Sequence, residues 1–239
     1  STPFWLLALV VWMGNFYLYQ EVTQIRVAVA AGLFLVGLSY LAKGEKRTYL
    51  LFSLAAACFH YSAFVLPLLT FFGSRPLTLR GRLVIGAIPL LGYLLFFGGF
   101  DPIASLPIPW IQEKLWIYER LRDSGMAGDA INVFNIVYVM RLLVFYLLLW
   151  KYDVIKEQAP NLSLLLKVFA ISYFCFTALG ALPVMAFRYA ELFGVVEIVM
   201  VPYLALTMKP EAFGKSLVIV FAFGCMMLNV FYNELLKLS

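Results

Sequence analysis

The chain has 239 residues, of which 64% are hydrophobic and 13% are charged, and its formal net charge is +5. Soluble domains are about 45–50% apolar and about 25% charged, so the composition excludes an ordinary soluble protein. The basic residues stand in short segments between long apolar runs. In that position they orient membrane helices, and we therefore predict no nucleic-acid partner.

Apolar runs long enough to cross a bilayer recur along the chain. They predict an all-α, polytopic integral membrane helical bundle that forms a single domain over 1–239. Seven spans are expected, at 3–19, 25–42, 83–99, 131–150, 163–182, 191–207 and 216–236. Because the chain lacks an initiator Met and opens directly into the first span, we also expect it to lack N-terminal helices of a longer protein.

The segment 48–72 has two interpretations, a single crossing helix or a hairpin of two short arms that turns back near His60. The hairpin brings to one side the loops 43–47, 73–82, 151–167 and 208–215. Those loops contain 11 of the 18 basic residues, and the positive-inside rule places such loops in the cytoplasm. We therefore predict a re-entrant or short-helix hairpin whose tip carries His60 toward the outer face.

The same topology makes 100–130 the one sizeable outer loop. It opens with three prolines, at 102, 107 and 109, that restrict the backbone. The stretch 110–122 then places apolar residues on one helical face and carries Trp110 and Trp116. This pattern predicts a helix near 110–122 that lies in the membrane interface.

His60 is the only histidine of the chain and lies within an apolar run. An ionisable side chain in hydrocarbon is costly and usually faces a cavity or a site. Its ordinary titration range suits a general base or a proton relay. The structural alternative is a helix-packing residue whose nitrogens bond Ser62 or a backbone carbonyl.

Arginines also fall on the predicted outer side or inside a span. Arg26, taken alone, fits a side chain that reaches from a helix end to the interface. Arg188 stands one turn before Glu191 and could pair with it. Arg141 lies midway in a span and needs an anion, for which Glu197 is an internal candidate. Several guanidinium groups beside a membrane cavity suit a ligand that carries phosphate.

Other chemistries lack their residue patterns. Each Asp stands alone, without a DxD motif, and no His, Cys, Asp or Glu grouping has metal-ligand spacing. No P-loop, GxSxG or HExxH motif occurs. The three cysteines lie in apolar segments as small hydrophobic residues. We expect neither a metal nor another cofactor.

Three stretches together resemble the EpsG-like family of Wzy-type polymerases, which act in capsule, exopolysaccharide and O-antigen production. They are Gln24-Ile25-Arg26 with Ala30, the basic loop 43–47, and the run Ala57-Cys-Phe-His60-Tyr-Ser62-Ala63. Arg188-Tyr189 resembles the arginine–tyrosine element near the C-terminus of that family. The resemblance is strongest over residues 20–70.

The resemblance implies a multi-pass enzyme of the bacterial inner membrane with its active site toward the periplasm. It would be a metal-independent glycosyltransferase that polymerises undecaprenyl-diphosphate-linked oligosaccharides, assisted by a chain-length regulator or other assembly proteins. The catalytic candidates are His60, Arg26, Arg188 and Glu191. The substrate-binding candidates are Gln24, Ser62, Arg141, Tyr189, Arg120 and Arg122.

Three other functions stay open at the level of sequence. A ligase that resembles O-antigen ligases would move finished glycan from the same carrier to another acceptor. A flippase or transporter of lipid-linked oligosaccharide would need a polar pathway through the whole bilayer, often with repeated halves. A non-catalytic scaffold subunit would act by assembling partner proteins, so substitution of His60 would affect that assembly and not the transfer chemistry. The polar residues inside the spans gather toward one face and no repeat is visible, so the enzyme is favoured over the transporter.

Overall fold

A computed structural model of the chain describes residues 4–21, 25–100, 105, 109, 112–113, 116–117, 120 and 131–232, with the backbone alone for 18–21 and 232. Regular structure within these residues is helical throughout, as expected. The α-helices are α1 Trp5–Trp12, α2 Ile25–Ala42, α3 Lys46–Phe59, α4 Leu79–Phe97, α5 Ile136–Trp150, α6 Tyr152–Ile155, α7 Leu162–Ala178, α8 Pro183–Gly194, α9 Glu197–Met200 and α10 Glu211–Met227. The 3₁₀ segments are Tyr61–Phe71 and Val201–Leu206, and π-helical turns follow α1 and α10 at Met13–Glu21 and Leu228–Tyr232.

Four stretches of helix in the described part are long and apolar enough to cross a membrane. They are Ile25–Ala42, Leu79–Phe97, Pro183–Leu206 and Glu211–Phe231. Shorter apolar helices occupy the other three expected spans, at Trp5–Tyr17, Ile136–Trp150 and Leu162–Ala178. The molecule is therefore a helical membrane protein.

The starts of several expected spans differ in the structure. Helices α4 and α10 begin at Leu79 and Glu211, before the expected 83 and 216, and two other starts have a clear local cause. The span expected at 191–207 begins at Pro183, because proline fits the first turn of a helix, where its missing N–H needs no partner. The span expected at 131–150 begins only at Ile136, where the side chain of Asn135 accepts a hydrogen bond from the Val137 backbone N–H at 3.0 Å. An N-terminal cap of this kind starts a helix.

The segment 48–72 is a hairpin, as the charge count predicts. The chain breaks at His60, whose extended backbone (φ −146°, ψ 120°) separates α3 from the 3₁₀ segment. The Tyr49 hydroxyl donates a 2.6 Å hydrogen bond to the Leu66 carbonyl across the two arms. A continuous helix would hold these residues about 25 Å apart, so the second arm folds back on the first.

Several basic loops meet at one end of the bundle, which we call the basic end. The Ser74 hydroxyl donates a 2.8 Å hydrogen bond to the Ala42 carbonyl, so the chain leaves and re-enters the bundle at the same level. The Lys167 ammonium group donates a 2.6 Å hydrogen bond to the Gly73 carbonyl and brings the start of α7 to this end. The loops 43–47 and 73–78 and the beginning of α7 thus share one side, as expected.

The opposite end is formed where α4, α5 and α7 approach each other again. The Ile131 N–H donates to the Gly180 carbonyl at 3.0 Å, and the Tyr93 hydroxyl donates to the Val133 carbonyl at 3.0 Å. His60 belongs to this opposite end, because the hairpin that carries it begins and ends at the basic end.

Helix α7 is the centre of the core, with most of its side chains buried. Aromatic rings fill the space around it, including the Tyr138–Phe176 pair, which stacks with 3.5 Å between centroids. Gly92 of α4 lies against Thr177, where a Cβ atom would overlap the hydroxyl oxygen. Close approach over a glycine is a common way for membrane helices to pack.

Candidate functional site

A histidine, a tyrosine and an arginine meet at the tip of the hairpin. The rings of His60 and Tyr61 lie 5.1 Å apart, and the Arg188 guanidinium carbon lies 5.2 Å from the centre of the Tyr61 ring. Arg188 also interacts electrostatically with His60. We call these three residues the hairpin-tip cluster. It brings together two of the four predicted catalytic residues.

His60 keeps one ring nitrogen available in this cluster. Its Nε2 atom is buried and has no hydrogen-bond partner among the described residues. Because a buried polar atom without a partner is costly, the position calls for an explanation such as an ordered water, an ion or a catalytic role. Ser62, the packing partner considered from the sequence, is 2% exposed in the first turn of the 3₁₀ segment.

Arg26 lies at the same end as the hairpin tip, in the first turn of α2, with an exposed side chain. Helices α2 and α8 both run toward the basic end and touch through Phe34 and Phe193, whose rings are 6.3 Å apart. Arg26 precedes Phe34 by eight residues, about 12 Å, and Arg188 precedes Phe193 by five, about 7.5 Å. The two guanidinium-bearing residues therefore lie within about one helical turn of the same level.

A buried ion pair lies deeper in the bundle. The Nε atom of Arg141 lies 3.0 Å from the Oε2 atom of Glu197, with side chains that are 7% and 1% exposed. Asn15 donates a longer, 3.4 Å hydrogen bond to the same carboxylate oxygen. The rings of Phe16 and Tyr138 lie 5.3 and 5.1 Å from the Arg141 guanidinium carbon. Arg141 thus has the internal partner that the sequence suggests.

Glu191 connects the ion pair with the hairpin-tip cluster. It is 6% exposed and interacts electrostatically with Arg141 and Tyr138. It lies one helical turn after Arg188, at a rise of about 4.5 Å. The pairing of Arg188 with Glu191 that the sequence suggests stays a prediction.

The remaining candidates are scattered or lie outside the described residues. Tyr189 is half-buried next to Arg188. Arg120 is exposed, with its guanidinium carbon 3.9 Å from the centre of the Trp116 ring. Gln24 and Arg122 lie outside the described residues, as does most of the interfacial helix expected near 110–122; of that stretch 112–113, 116–117 and 120 are helical.

Two residues that contact the candidate site residues were not predicted from the sequence. Tyr61 lies between His60 and Arg188, but an aromatic residue in an apolar run gives no signal of its own. Asn15 is different, because an amide inside a predicted span is a detectable signal for a buried polar contact. No group of three or more His, Cys, Asp or Glu side chains in the described part is placed to hold a metal ion.

Comparison with known proteins identifies the family. The model of the EpsG family matches residues 1–238. The chain belongs to the EpsG family. This membership makes it a polysaccharide-related membrane protein. No curated protein and no solved structure gave a significant match.

Proposed function

We propose that this EpsG-family protein is a polysaccharide polymerase that joins lipid-linked oligosaccharide repeat units at the hairpin-tip cluster. The observation that supports the proposal is that His60, whose buried Nε2 atom has no hydrogen-bond partner among the described residues, and Arg188 both lie against Tyr61, at the end of the bundle opposite the basic loops. A proton acceptor beside a fixed cation suits the transfer of a glycan from a diphosphate carrier.

The proposed substrate is an oligosaccharide joined through its anomeric carbon to undecaprenyl diphosphate. The hydroxyl oxygen of the acceptor unit forms a bond to that carbon while the bond from carbon to diphosphate oxygen breaks. His60 Nε2 takes the hydroxyl proton, as a general base. Arg188, with Arg26 at nearly the same level, stabilises the negative charge on the departing undecaprenyl diphosphate.

The buried residues have positioning roles in this proposal. Glu191 interacts with Arg141, which is itself held by Glu197, and α8 carries Glu191 one turn from Arg188. The ion pair therefore helps to fix the rotation of α8, and with it the place of Arg188. We assign the diphosphate to Arg188 and Arg26, and Arg141 to support of the site.

The proposed location is the inner membrane of a bacterium, with the hairpin tip toward the outside. The basic loops then face the cytoplasm, as the positive-inside rule requires. The diphosphate of a membrane-bound carrier lies at the interface, where the start of α2 and the hairpin tip also lie. A chain-length regulator or another assembly protein would contact the same face.

The proposal is tested by separate His60→Ala, Arg188→Ala and Arg26→Ala variants of the full chain in cells that lack the native copy. Polymer length is read from glycan ladders on gels, and the amount of each variant from membrane blots. Loss of a general base reduces the rate about 10²–10⁴-fold, so His60→Ala should leave single repeat units on the carrier.

Arg80→Ala is the matched control, because Arg80 is an exposed cation in the first turn of α4 at the basic end. It should leave ladders of normal length. Full-length ladders from both His60→Ala and Arg188→Ala at normal protein levels would overturn the proposal. Accumulation of long glycan on the carrier would instead identify a ligase, and accumulation of units on the cytoplasmic face a flippase.

A further inference from the structure

A small crevice opens between three helices near the basic end. Its walls are mainly apolar and come from Leu35 and Leu38 of α2, Leu164 and Leu165 of α7, and Val199 of α9; Ser39 and Asn161 also line it. It holds about 80 Å³. The engineered apolar cavity that takes up benzene is about 150 Å³, so this crevice has room for a few methylene groups.

The rim of the crevice is basic. Ala42 lines the crevice, and Lys43 follows it with an exposed side chain. Lys167 stands one turn beyond the leucines of α7, and its ammonium group binds the backbone that runs into Ser74 and Arg75. Arg75 is exposed. The hydrogen bond from Ser74 to the Ala42 carbonyl holds this stretch beside the end of α2, and we call Lys43, Arg75 and Lys167 the cations at the rim.

Three cations at the basic end are paired within the described part of the chain, whereas the three beside the crevice are not. Arg82 and Lys156 share Asp153, and Lys215 pairs with Glu211. Within the described residues, none of the three cations at the rim forms an ion pair. Their charge is available to an anion from outside the chain.

A stripe of exposed positions on α2 continues from the crevice toward the middle of the bundle. Ser39, Val36, Gly32 and Val29 follow each other at intervals of three or four residues and are all exposed. A Cβ atom at Gly32 would meet nothing within 4 Å. An aliphatic chain that begins in the crevice therefore has an open, shallow path along α2.

We propose that an anionic phospholipid binds at the basic end, with the upper part of one acyl chain in the crevice. Its phosphate would lie among Lys43, Arg75 and Lys167. Lysine and arginine donate charge-assisted hydrogen bonds to phosphate. The leucine walls are no more apolar than the surrounding lipid, so burial of the acyl chain does not distinguish one phospholipid from another. The headgroup therefore supplies the selectivity. This lipid site is separate from the hairpin-tip cluster and does not depend on the proposed activity.

The test uses the purified full chain in detergent, titrated with phosphatidylglycerol or with phosphatidylcholine of the same acyl chains, and bound lipid is counted by native mass spectrometry. Phosphatidylglycerol should bind more tightly. Each basic residue near an anionic surface contributes about 1 kcal/mol, so Lys43→Gln should weaken binding about fivefold. Lys215→Gln, which removes one paired charge at the same end, is the control and should have little effect.

A second variant tests the crevice without changing charge. Ser39→Phe places a ring at the lip of the crevice on an exposed face of α2 and should also weaken binding. Equal losses in Lys43→Gln and Lys215→Gln, with no effect of Ser39→Phe, would show a diffuse attraction and overturn the proposal. Equal affinity for phosphatidylcholine, or equal binding of soluble glycerophosphate, would overturn it too.

Discussion

Removal of either member of the buried ion pair should destabilise the protein, but by different amounts. The Arg141 side chain is only 7% exposed, and Glu197→Leu removes the carboxylate that pairs with it. An arginine cannot lose its charge by giving up a proton. Breaking a buried pair in this way costs about 3–5 kcal/mol. We expect Glu197→Leu to lower the free energy of unfolding by that amount.

Arg141→Met leaves the opposite partner, and the result should be milder. A carboxylate without its cation can take up a proton and become neutral, and Asn15 remains within 3.4 Å as a donor. The remaining cost is that of a buried polar group with incomplete hydrogen bonding, about 1–3 kcal/mol. The double variant Arg141→Met with Glu197→Leu removes both charges and should be close to the native protein in stability.

Denaturant titration of the purified chain in mixed micelles gives the free energies of unfolding for the four proteins of this cycle. The cycle then gives a coupling energy that no single variant provides. The reasoning would be refuted if Arg141→Met were the more damaging single change, or if the double variant were less stable than both single variants.

Three further outcomes follow from local geometry. Tyr49→Phe should destabilise the hairpin by about 1–3 kcal/mol, because the buried Leu66 carbonyl loses its donor; proteolysis between the two arms measures it. Gly92→Ala should lower thermal stability, because its Cβ atom would overlap a hydroxyl on α7, whereas Gly32→Ala should be neutral or stabilising by about 0.5–1 kcal/mol. The hydrogen bond from Lys156, together with the charge of Arg82, holds the pKa of Asp153 below its usual value. The contribution of this carboxylate to stability is therefore present above its unfolded-state pKa and is lost as the pH falls through its folded-state pKa. Carboxyl titration by NMR measures the folded-state pKa.

Each outcome has a result that would contradict it. A Tyr49→Phe protein with unchanged protease resistance would show that the two arms need no hydrogen bond to stay together. Equal effects of Gly92→Ala and Gly32→Ala would show that the contact between α4 and α7 is loose. An Asp153 carboxyl that titrates at its usual pH would show that the lysine and arginine do not act on it in solution.

The hairpin was predictable from sequence because two independent constraints agree on it. Two helical arms at 48–59 and 62–72 would each reach only about 18 Å, too short to cross about 30 Å of hydrocarbon. The charge count then places their two ends on one side. Patterning and charge act over whole segments, so they specify the topology well.

The partners within the candidate site were harder to predict. His60 and Arg188 are 128 positions apart in the sequence, and their meeting depends on how the 3₁₀ segment that begins at Tyr61 packs against α8. Hydropathy does not encode such a register. The pairing of Arg141 with Glu197 was predictable, because a charge in the middle of a span needs a countercharge at the same depth.

The short arms of the hairpin also set an order of assembly. Neither arm satisfies the requirements of a stable transmembrane helix, and the extended backbone at His60 is tolerated at membrane depth only beside other protein. The segment 46–71 therefore depends on neighbouring helices that are already in the bilayer, and α8 is made long after it. In a chain that ends before α8, a protease added on the side of the basic loops should cleave this segment. In a chain that includes α8, the same segment should be protected.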